Sequence, residues 1–294
     1  MAIDLDRPIL DRIEALLGQQ ILETHTPNGG FSPAIRRICR TADQSVFVKV
    51  GTNPFTVAAL NRELEIYAAM ALPNMARFIA GESHATHPIM ILEDLSRYTW
   101  PPPWPDGGLD RVVEAINVLH ATPPPPGVFE PEDIDETYFG WRQIAANPAQ
   151  FLATGAGSRA WLEDALPTLL AAEARCTLTG DALLHMDLRS DNLCLDGDRV
   201  LFVDWNWAVL GSARLDLGFF LNTVTGEGGP RQEIHLPDAG DEAAVIAGVF
   251  GYLMGLPGIP DAPLVRAKQR EQFEAAIAWT ARALNVPALQ LPRP

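Results

Sequence analysis

Residues 184–193 read Leu-His-Met-Asp-Leu-Arg-Ser-Asp-Asn-Leu, and residues 200–205 read Val-Leu-Phe-Val-Asp-Trp. The first stretch contains the pattern H-x-D-L-x-x-x-N, in which Asp187 and Asn192 stand five positions apart. The Asp-Gly-Asp sequence at 196–198 predicts a tight hairpin turn between the two stretches. The second stretch is a candidate apolar strand that ends in Asp204, 17 residues after Asp187. The sequence therefore predicts a loop, a hairpin and a strand that together present several side-chain oxygens.

The polar side chains of this region fit phosphoryl transfer, where catalysis consists mainly of positioning and charge neutralisation. Asp187 is placed to accept or orient the proton of an attacking hydroxyl. Asn192 and Asp204 offer the hard oxygen ligands that Mg²⁺ prefers, and Arg189 is placed to neutralise charge on the transferring group. Taken alone, each aspartate could be a turn or helix-cap acid and His185 a packed core histidine. The joint pattern is typical of a kinase catalytic loop.

A lysine and a glutamate upstream strengthen this interpretation. Residues 34–40 and 45–50 read as two strands joined by a polar turn, and Lys49 lies in the second strand. Only two of the 22 basic residues are lysines, so a lysine retained here indicates chemistry that arginine does not supply. The helix predicted over 56–71 places Glu63 beside its apolar face. In kinases a strand lysine holds the ATP phosphates and a helix glutamate orients that lysine. The alternative for Lys49 is a charge on an edge strand, and the alternative for Glu63 is a solvated charge on the helix surface.

Two further segments are candidates for nucleotide contacts. A turn-rich segment at 27–33 precedes the first strand, where kinases drape backbone N–H groups over the ATP phosphates. Because the segment lacks G-x-G-x-x-G, its glycines are more commonly structural turn residues. The candidate strand at 88–92 leads into backbone groups that are placed to read an adenine edge. The residues assigned to nucleotide contact are Gly30, Phe31 and Ser32 in the first segment and Glu93, Asp94 and Leu95 after the second.

Composition restricts the partners and the location. The 294 residues leave room for one large domain or two lobes, and the net charge of −15 argues against nucleic acid and anionic membranes as partners. No apolar run is long enough to span a membrane, and the N-terminus lacks the apolar region of a signal peptide. The three cysteines show no metal spacing, so we expect reduced, buried thiols and a cytoplasmic location.

The acceptor is less well defined by the sequence. Residues 130–136 carry five acids, and such a run is more commonly a solvated loop. If it lines the acceptor site, it favours a cationic small molecule. The sequence leaves a monomer and a homodimer equally open.

Together these features resemble the aminoglycoside phosphotransferase family, whose fold is protein-kinase-like. Further residues carry the resemblance, namely Gly29 to Pro33, Leu119-His120-Ala121, Asp204-Trp205, Gly211 and Asp216-Leu217. Residues 256–260, followed by Arg266 and Gln269, are similar to the ending of a bacterial, mostly actinobacterial, branch of the family. The resemblance covers nearly the whole chain. It implies an α+β fold of two lobes, with a small β-rich N-lobe at 1–95 that carries one key helix and a larger, mainly helical C-lobe at 96–294.

The resemblance also implies ATP or GTP as the nucleotide and Mg²⁺ as the metal. The implied roles are Asp187 as base, Asn192 and Asp204 as metal ligands, Lys49 on the phosphates, Glu63 as its partner, backbone from Glu93 to Leu95 on adenine, and Asp216 as a brace of the catalytic loop. Two departures concern loop shape. Met186 stands where the family usually has glycine, and Ala34 where the related branch often has it.

Several functions remain open within this resemblance. A protein kinase is disfavoured because only 11 residues separate Asp204 from Asp216, too few for an activation loop. A catalytically silent nucleotide-binding relative is disfavoured because Lys49, Asp187, Asn192 and Asp204 are all present. An antibiotic-modifying enzyme and a metabolic small-molecule kinase, acting on a sugar, a choline-like alcohol or an amino alcohol, remain the two main readings.

Overall fold

The computed structural model describes residues 5–27, 33–129, 136–258 and 263–289. Two compact units divide the chain. The first comprises residues 1–115, 125–128 and 190–208, and the second comprises residues 116–124, 129–189 and 209–294. The first unit therefore includes segments beyond residue 95, where the sequence placed the end of the N-lobe. The division into lobes at that residue stays a prediction.

The first unit contains a sheet, two helices and a separate hairpin, and it also holds the start of a third helix. Its elements are α1 (Arg7–Leu17), β1 (Glu23–His25), β2 (Ile35–Arg40), β3 (Ser45–Val50), α2 (Pro54–Ala69), β4 (Phe78–Glu82), β5 (Ile89–Glu93) and the start of α3 (Gly108–His120). The two strands predicted at 34–40 and 45–50 are confirmed. Helix α2 begins before the predicted residue 56 because Asn53 and Thr56 form a capping box around Pro54.

The sheet has five strands in the order β1-β2-β3-β5-β4, and all neighbours are antiparallel. Valines at positions 46, 48 and 50 of β3 are fully buried in a core that they share with α1. Lys49 alternates with these valines and therefore belongs to the opposite face of the sheet. Because β3 is the middle strand, the alternative that Lys49 is an edge-strand charge is wrong.

A two-stranded hairpin carries the segment that leads to Asp204. Its strands, both in the first unit, are β7 (Leu193–Asp196) and β8 (Arg199–Phe202). The strand that precedes them in the chain, β6 (Ala182–Leu184), belongs to the second unit. The predicted hairpin turn at 196–198 is confirmed, since Asp196 pairs with Arg199. The strand predicted to end in Asp204 ends two residues earlier, at Phe202. Asp204 has φ +66°, a left-handed conformation that cannot continue a strand.

The second unit is mainly helical. Its elements are the end of α3, α4 (Gly140–Ala146), α5 (Pro148–Ala153), α6 (Arg159–Arg175), β6 paired with β9 (Val209–Gly211), α7 (Ala213–Gly226), α8 (Gly240–Gly255) and α9 (Pro263–Leu284). With the sheet in the N-terminal part and the helices in the C-terminal part, the predicted α+β class is confirmed.

The sequence predicts a helix over 137–147, and the structure shows an α-helix over only part of this range. A short 3₁₀ turn occupies Glu136–Phe139, and α4 begins at Gly140. The buried carboxylate of Glu173 fixes this start, because it accepts hydrogen bonds from the backbone N–H groups of Trp141 at 2.7 Å and Arg142 at 3.2 Å. Burial raises the pKa of Glu173, and these hydrogen bonds oppose that rise.

Close packing in the second unit depends on glycine. A Cβ atom added to Gly140 would lie 2.0 Å from the carbonyl oxygen of Gly248 in α8, so neither β-carbon nor larger side chain fits there. Beside this contact, Trp141 packs on Phe151 with ring centroids 6.2 Å apart, and Phe151 packs on Phe273 at 5.7 Å. Glycines at the contact, Gly140 in α4 and Gly248 in α8, thus allow the two helices to approach closely.

Two further observations concern the expectations from composition. Within the described residues, no helix is long and apolar enough to cross a membrane. All three cysteines are free thiols, as predicted. Cys39 and Cys194 are buried, whereas Cys176 is only partly buried, so the expectation of three buried thiols is wrong for that residue.

Candidate active site

Lys49 forms the centre of a buried ionic cluster in the first unit. Its ammonium nitrogen Nζ lies 2.8 Å from Oε2 of Glu63, and Glu63 is only 1% exposed. The same nitrogen also donates to Oδ1 of Asp204. The structure therefore brings together three residues that are far apart in sequence and that were predicted separately from a strand, a helix and a motif.

Glu63 also holds the chain that follows Asp204. Its second oxygen, Oε1, accepts a hydrogen bond of 3.2 Å from the backbone N–H of Trp205. The indole of Trp205 is fully buried and donates to the carbonyl oxygen of Phe202 at 3.0 Å. Both oxygens of Glu63 thus have a partner, and the alternative of a solvated helix charge is wrong. Helix α2 fixes both the lysine and the turn that presents Asp204.

The charges of this cluster shift one another's proton affinity. Burial lowers the pKa of Lys49, but the neighbouring carboxylates of Asp204 and Glu63 outweigh it, and the net pKa is raised. Burial raises the pKa of Glu63, and Lys49 opposes this rise. Lys49 therefore remains charged across the physiological range, as a residue that neutralises phosphate must.

Asp204 is the accessible member of the cluster. Its side chain is 38% exposed, whereas that of Lys49 is 10% exposed. Aspartate tolerates the left-handed conformation found here better than most residues. The carboxylate thus reaches a surface where a ligand can meet it while Lys49 anchors it from behind.

Asn192 is joined by a backbone hydrogen bond to Val203, the residue before Asp204. It ends a 3₁₀ turn at Ser190–Asn192, and its carbonyl oxygen accepts a hydrogen bond of 2.9 Å from the N–H of Val203. Within the described part of the chain, no group of three or more His, Cys, Asp and Glu side chains is arranged to hold a metal. A nucleotide-bound Mg²⁺ needs only one or two carboxylates besides phosphate and water. The amide of Asn192 and the carboxylate of Asp204 fit that requirement.

The residues assigned to adenine are Glu93, the last residue of β5, and Asp94 and Leu95, which follow it. Asp94 accepts a hydrogen bond of 2.6 Å from the hydroxyl of Ser45, and its pKa is lowered by the hydrogen bonds from Ser45 and Ser96, which outweigh burial. The carbonyl oxygen of Leu95 accepts from the indole of Trp100 at 3.1 Å. Glu93 accepts through Oε1 from the N–H of Arg77 at 2.8 Å. These bonds fix the segment, and its role in adenine binding stays a prediction.

Three of the assigned nucleotide residues cannot be placed. Gly30, Phe31 and Ser32 lie outside the residues that the structure describes, and so does most of the acidic segment at 130–136.

In the second unit, Asp187 and Arg189 lie next to each other. Nη1 of Arg189 is 3.3 Å from Oδ1 of Asp187, and both side chains are about a quarter exposed, at 26% and 27%. The backbone N–H of Asp187 also donates to Nδ1 of His185 at 3.3 Å. Sequence reasoning assigned Arg189 to the transferring phosphoryl group. The structure adds a contact with the predicted base itself.

Asp216 braces the start of this loop. The carboxylate is fully buried and accepts hydrogen bonds from the backbone N–H groups of His185 at 3.0 Å and Met186 at 2.8 Å. Nε2 of His120 lies 3.0 Å from the same carboxylate. This agrees with the bracing role that the resemblance implies. Met186 has φ +62°, the conformation in which glycine is favoured, at the position where the family usually has glycine.

Sequence reasoning missed two residues of these clusters. His120 was noticed only as part of a motif, without its partner in α7. Arg36 pairs directly with Lys49 across β2 and β3. The length of the turn could have revealed this pairing. A four-residue turn places Arg40 opposite Ser45, and counting four residues back along β2 and four forward along β3 places Arg36 opposite Lys49.

Comparisons with known proteins identify the family and the fold of the chain. A sequence model of the phosphotransferase enzyme family (APH) matches residues 24–249. No curated protein matches the sequence.

Solved structures share the fold at low sequence identity. Spectinomycin phosphotransferase APH(9)-Ia, in complex with ADP and spectinomycin, is 12% identical, with 94% of this chain and 99% of that chain covered and a TM-score of 0.61. A thermostable mutant of aminoglycoside phosphotransferase APH(4)-Ia, with ADP and hygromycin B, is 13% identical, with 93% and 99% covered and a TM-score of 0.62. Choline kinase LicA from Streptococcus pneumoniae is 11% identical, with 94% and 98% covered and a TM-score of 0.61.

These structures show that the fold is that of the protein-kinase-like phosphotransferases. The family match covers most of the chain and includes Lys49, Glu63, the catalytic-loop motif and Asp216. The chain therefore belongs to the phosphotransferase enzyme family.

Proposed function

We propose that this protein is an ATP-dependent phosphotransferase that moves the γ-phosphate of ATP to a hydroxyl group of a small molecule. The observation that carries the proposal is the ionic cluster of Lys49, Glu63 and Asp204. A buried lysine held between two carboxylates is expensive to build for stability alone. It is the arrangement that binds and orients nucleotide phosphates in kinases.

The nucleotide side of the reaction uses this cluster. Lys49 binds phosphate oxygens, and Glu63 keeps the ammonium in place. Asn192 and Asp204 would hold Mg²⁺, which supplies charge neutralisation on the phosphates when bound. Backbone groups from Glu93 to Leu95 bind the adenine edge.

The loop at 27–33 completes this proposal. By the family resemblance we assign Gly30, Phe31 and Ser32, which lie outside the described residues, to contacts with the phosphates. The predicted division into an N-lobe at 1–95 and a C-lobe at 96–294 belongs to the same proposal.

The acceptor side uses Asp187. Its carboxylate accepts or orients the proton of the acceptor hydroxyl while the oxygen attacks the γ-phosphate. The ion pair with Arg189 limits the orientations of this carboxylate and brings a positive charge close to the transferred group. Asp216 keeps the loop in shape through its bonds to the N–H groups of His185 and Met186.

Two acceptor classes have support. An antibiotic with an amino sugar or aminocyclitol is favoured by the family resemblance. A metabolic alcohol such as a choline-like or amino alcohol is favoured by the likeness to choline kinase, whose TM-score of 0.61 equals that of the spectinomycin phosphotransferase. The net charge of −15 favours a cationic acceptor in either class. A cytoplasmic location, as a monomer or homodimer, is part of the proposal.

A phosphate-transfer screen tests the proposal. The purified protein is incubated with Mg²⁺ and ATP or GTP and with panels of aminoglycosides, macrolides, peptide antibiotics, sugars and amino alcohols. Phosphorylation adds about 80 Da to the acceptor, which mass spectrometry detects. We expect transfer to at least one hydroxyl-bearing cation.

The Asp187→Asn variant is the matched control for this screen. It removes the proposed base with little change in size, and we expect transfer to fall about 1,000-fold while the stabilisation of the fold by ATP and Mg²⁺ persists. Full transfer by this variant would contradict the assignment of Asp187. A wild-type protein that neither binds nucleotide nor modifies any acceptor would contradict the function.

A further inference from the structure

Arg36 lies on the same face of the sheet as Lys49. The two residues face each other across β2 and β3, and directly opposed residues of antiparallel strands project to the same side. That side is opposite to the core shared with α1, because Val48 and Val50, which alternate with Lys49, are buried in that core. Arg36 is partly buried rather than extended into solvent.

The charges around Arg36 are those of the nucleotide cluster. Asp204 and Asp191 both interact electrostatically with its guanidinium, and Asp204 is also in contact with Lys49. Burial lowers the pKa of Arg36, and the two aspartates oppose this effect. Asp191 directly precedes Asn192, so Arg36 interacts electrostatically with the turn that carries this proposed metal ligand.

We propose that Arg36 is a second phosphate-binding residue, which contacts the triphosphate of the nucleotide beside Lys49. This inference rests on the proposed function. In the absence of nucleotide, Lys49 and Arg36 balance the carboxylates of Glu63, Asp191 and Asp204. A triphosphate adds several negative charges to these groups, and a guanidinium with its planar set of donors binds phosphate oxygens in pairs.

A purely structural role for Arg36 makes a different prediction. If the guanidinium only anchors the loop at Asp191, its removal lowers the stability of the fold and affects all nucleosides alike. If Arg36 binds phosphate, its removal weakens the binding of ATP, which carries phosphates, and leaves the binding of adenosine, which carries none, unchanged. The ratio of ATP affinity to adenosine affinity therefore separates the two roles.

The test measures binding of ATP and adenosine, each by displacement of a fluorescent ATP analogue in the presence of Mg²⁺, for the wild type and three variants. For Arg36→Gln we expect ATP affinity to fall about tenfold, as for the loss of a charge-assisted hydrogen bond. Adenosine affinity should stay within about twofold. Arg36→Lys keeps the positive charge but lacks the planar set of guanidinium donors, so its loss of ATP affinity should be intermediate.

Arg37→Gln is the matched control. It removes the same charge from the next position of the same strand, but Arg37 faces Val48 and so belongs to the opposite face of the sheet. We expect its ATP affinity to match that of the wild type. Urea denaturation of each variant shows whether the fold is retained.

The outcomes separate this inference from the proposed function. Normal ATP affinity in a folded Arg36→Gln variant would overturn the inference and leave the function intact. So would an equal loss for ATP and adenosine, or an equal loss in Arg37→Gln. A wild-type protein without ATP affinity would overturn both.

Discussion

Two polar clusters among the described residues differ in how their charges are balanced. In the first unit, Lys49 is shared between Glu63 and Asp204, and the carboxylate of Asp204 is 38% exposed. In the second unit, the carboxylate of Asp216 is fully buried and is satisfied by two backbone N–H groups and His120. Exposure of a charged group that the fold has fixed indicates a ligand site, whereas a fully satisfied buried group indicates a brace.

Removal of the brace should have the largest effect on stability. Asp216→Ala leaves the N–H groups of His185 and Met186 without their buried acceptor. We expect the free energy of unfolding to fall by about 4 kcal/mol, measured by urea denaturation. Asp181→Ala, at an exposed acid three residues before the motif's Leu184, is the control and should stay within about 0.5 kcal/mol of the wild type. A loss below about 1 kcal/mol for Asp216→Ala would contradict the bracing role.

Removal of the central lysine should greatly weaken nucleotide binding. Lys49→Met takes away the cation that faces the phosphates, and we expect ATP affinity to fall about 100-fold, or about 2.7 kcal/mol. Calorimetric titration measures this loss. The sequence has only one other lysine, Lys268, which pairs with Glu227 and Glu271 in a partly buried position of the second unit. Lys268→Met should bind ATP as the wild type does, and a similar loss in both variants would point to net charge alone.

The smallest effect concerns the backbone of the catalytic loop. Met186 has a left-handed conformation, which costs a residue with a β-carbon about 1–2 kcal/mol, while glycine adopts it freely. Glycine also loses more entropy on folding, by about 0.5–1 kcal/mol. The free energy of unfolding should therefore be about 1 kcal/mol higher for Met186→Gly than for Met186→Ala. Both variants lose the methionine side chain, but only glycine adopts the left-handed conformation without strain. Equal stability of the two variants by urea denaturation would show that this backbone carries no strain.

The pattern of the catalytic loop explains why so much of the candidate site was predictable. Asp187, Asn192 and Asp204 are assigned from their spacing in the motif, and their catalytic and metal-binding roles stay predictions. Lys49 and Glu63 follow from the order of strand and helix, and their contact of 2.8 Å agrees with that expectation. The elements themselves follow from hydrophobic periodicity and capping, as for α2 with its Asn53 cap.

The rest depends on contacts between distant segments, which periodicity does not encode. The start of α4 is set by Glu173 from α6, so a helix predicted from residue 137 begins at Gly140. Arg189 was assigned by analogy of charge, and its contact with Asp187 depends on loop geometry. The position of Arg36 beside Lys49 follows only from the residue-by-residue pairing of β2 and β3, which the prediction of two strands did not include. The acceptor stays undetermined because its recognition depends on side chains without a common pattern.

The most direct test of the central claim is the Mg²⁺ dependence of ATP binding. Calorimetry compares ATP affinity with and without Mg²⁺ for the wild type, for Asp204→Ala and for Asp196→Ala, an exposed acid in the neighbouring hairpin. We predict that Mg²⁺ strengthens ATP binding to the wild type and to Asp196→Ala at least tenfold, or about 1.4 kcal/mol, and has little effect on Asp204→Ala. The same Mg²⁺ dependence in all three proteins would contradict the account of the Lys49, Glu63 and Asp204 cluster as a nucleotide and metal site.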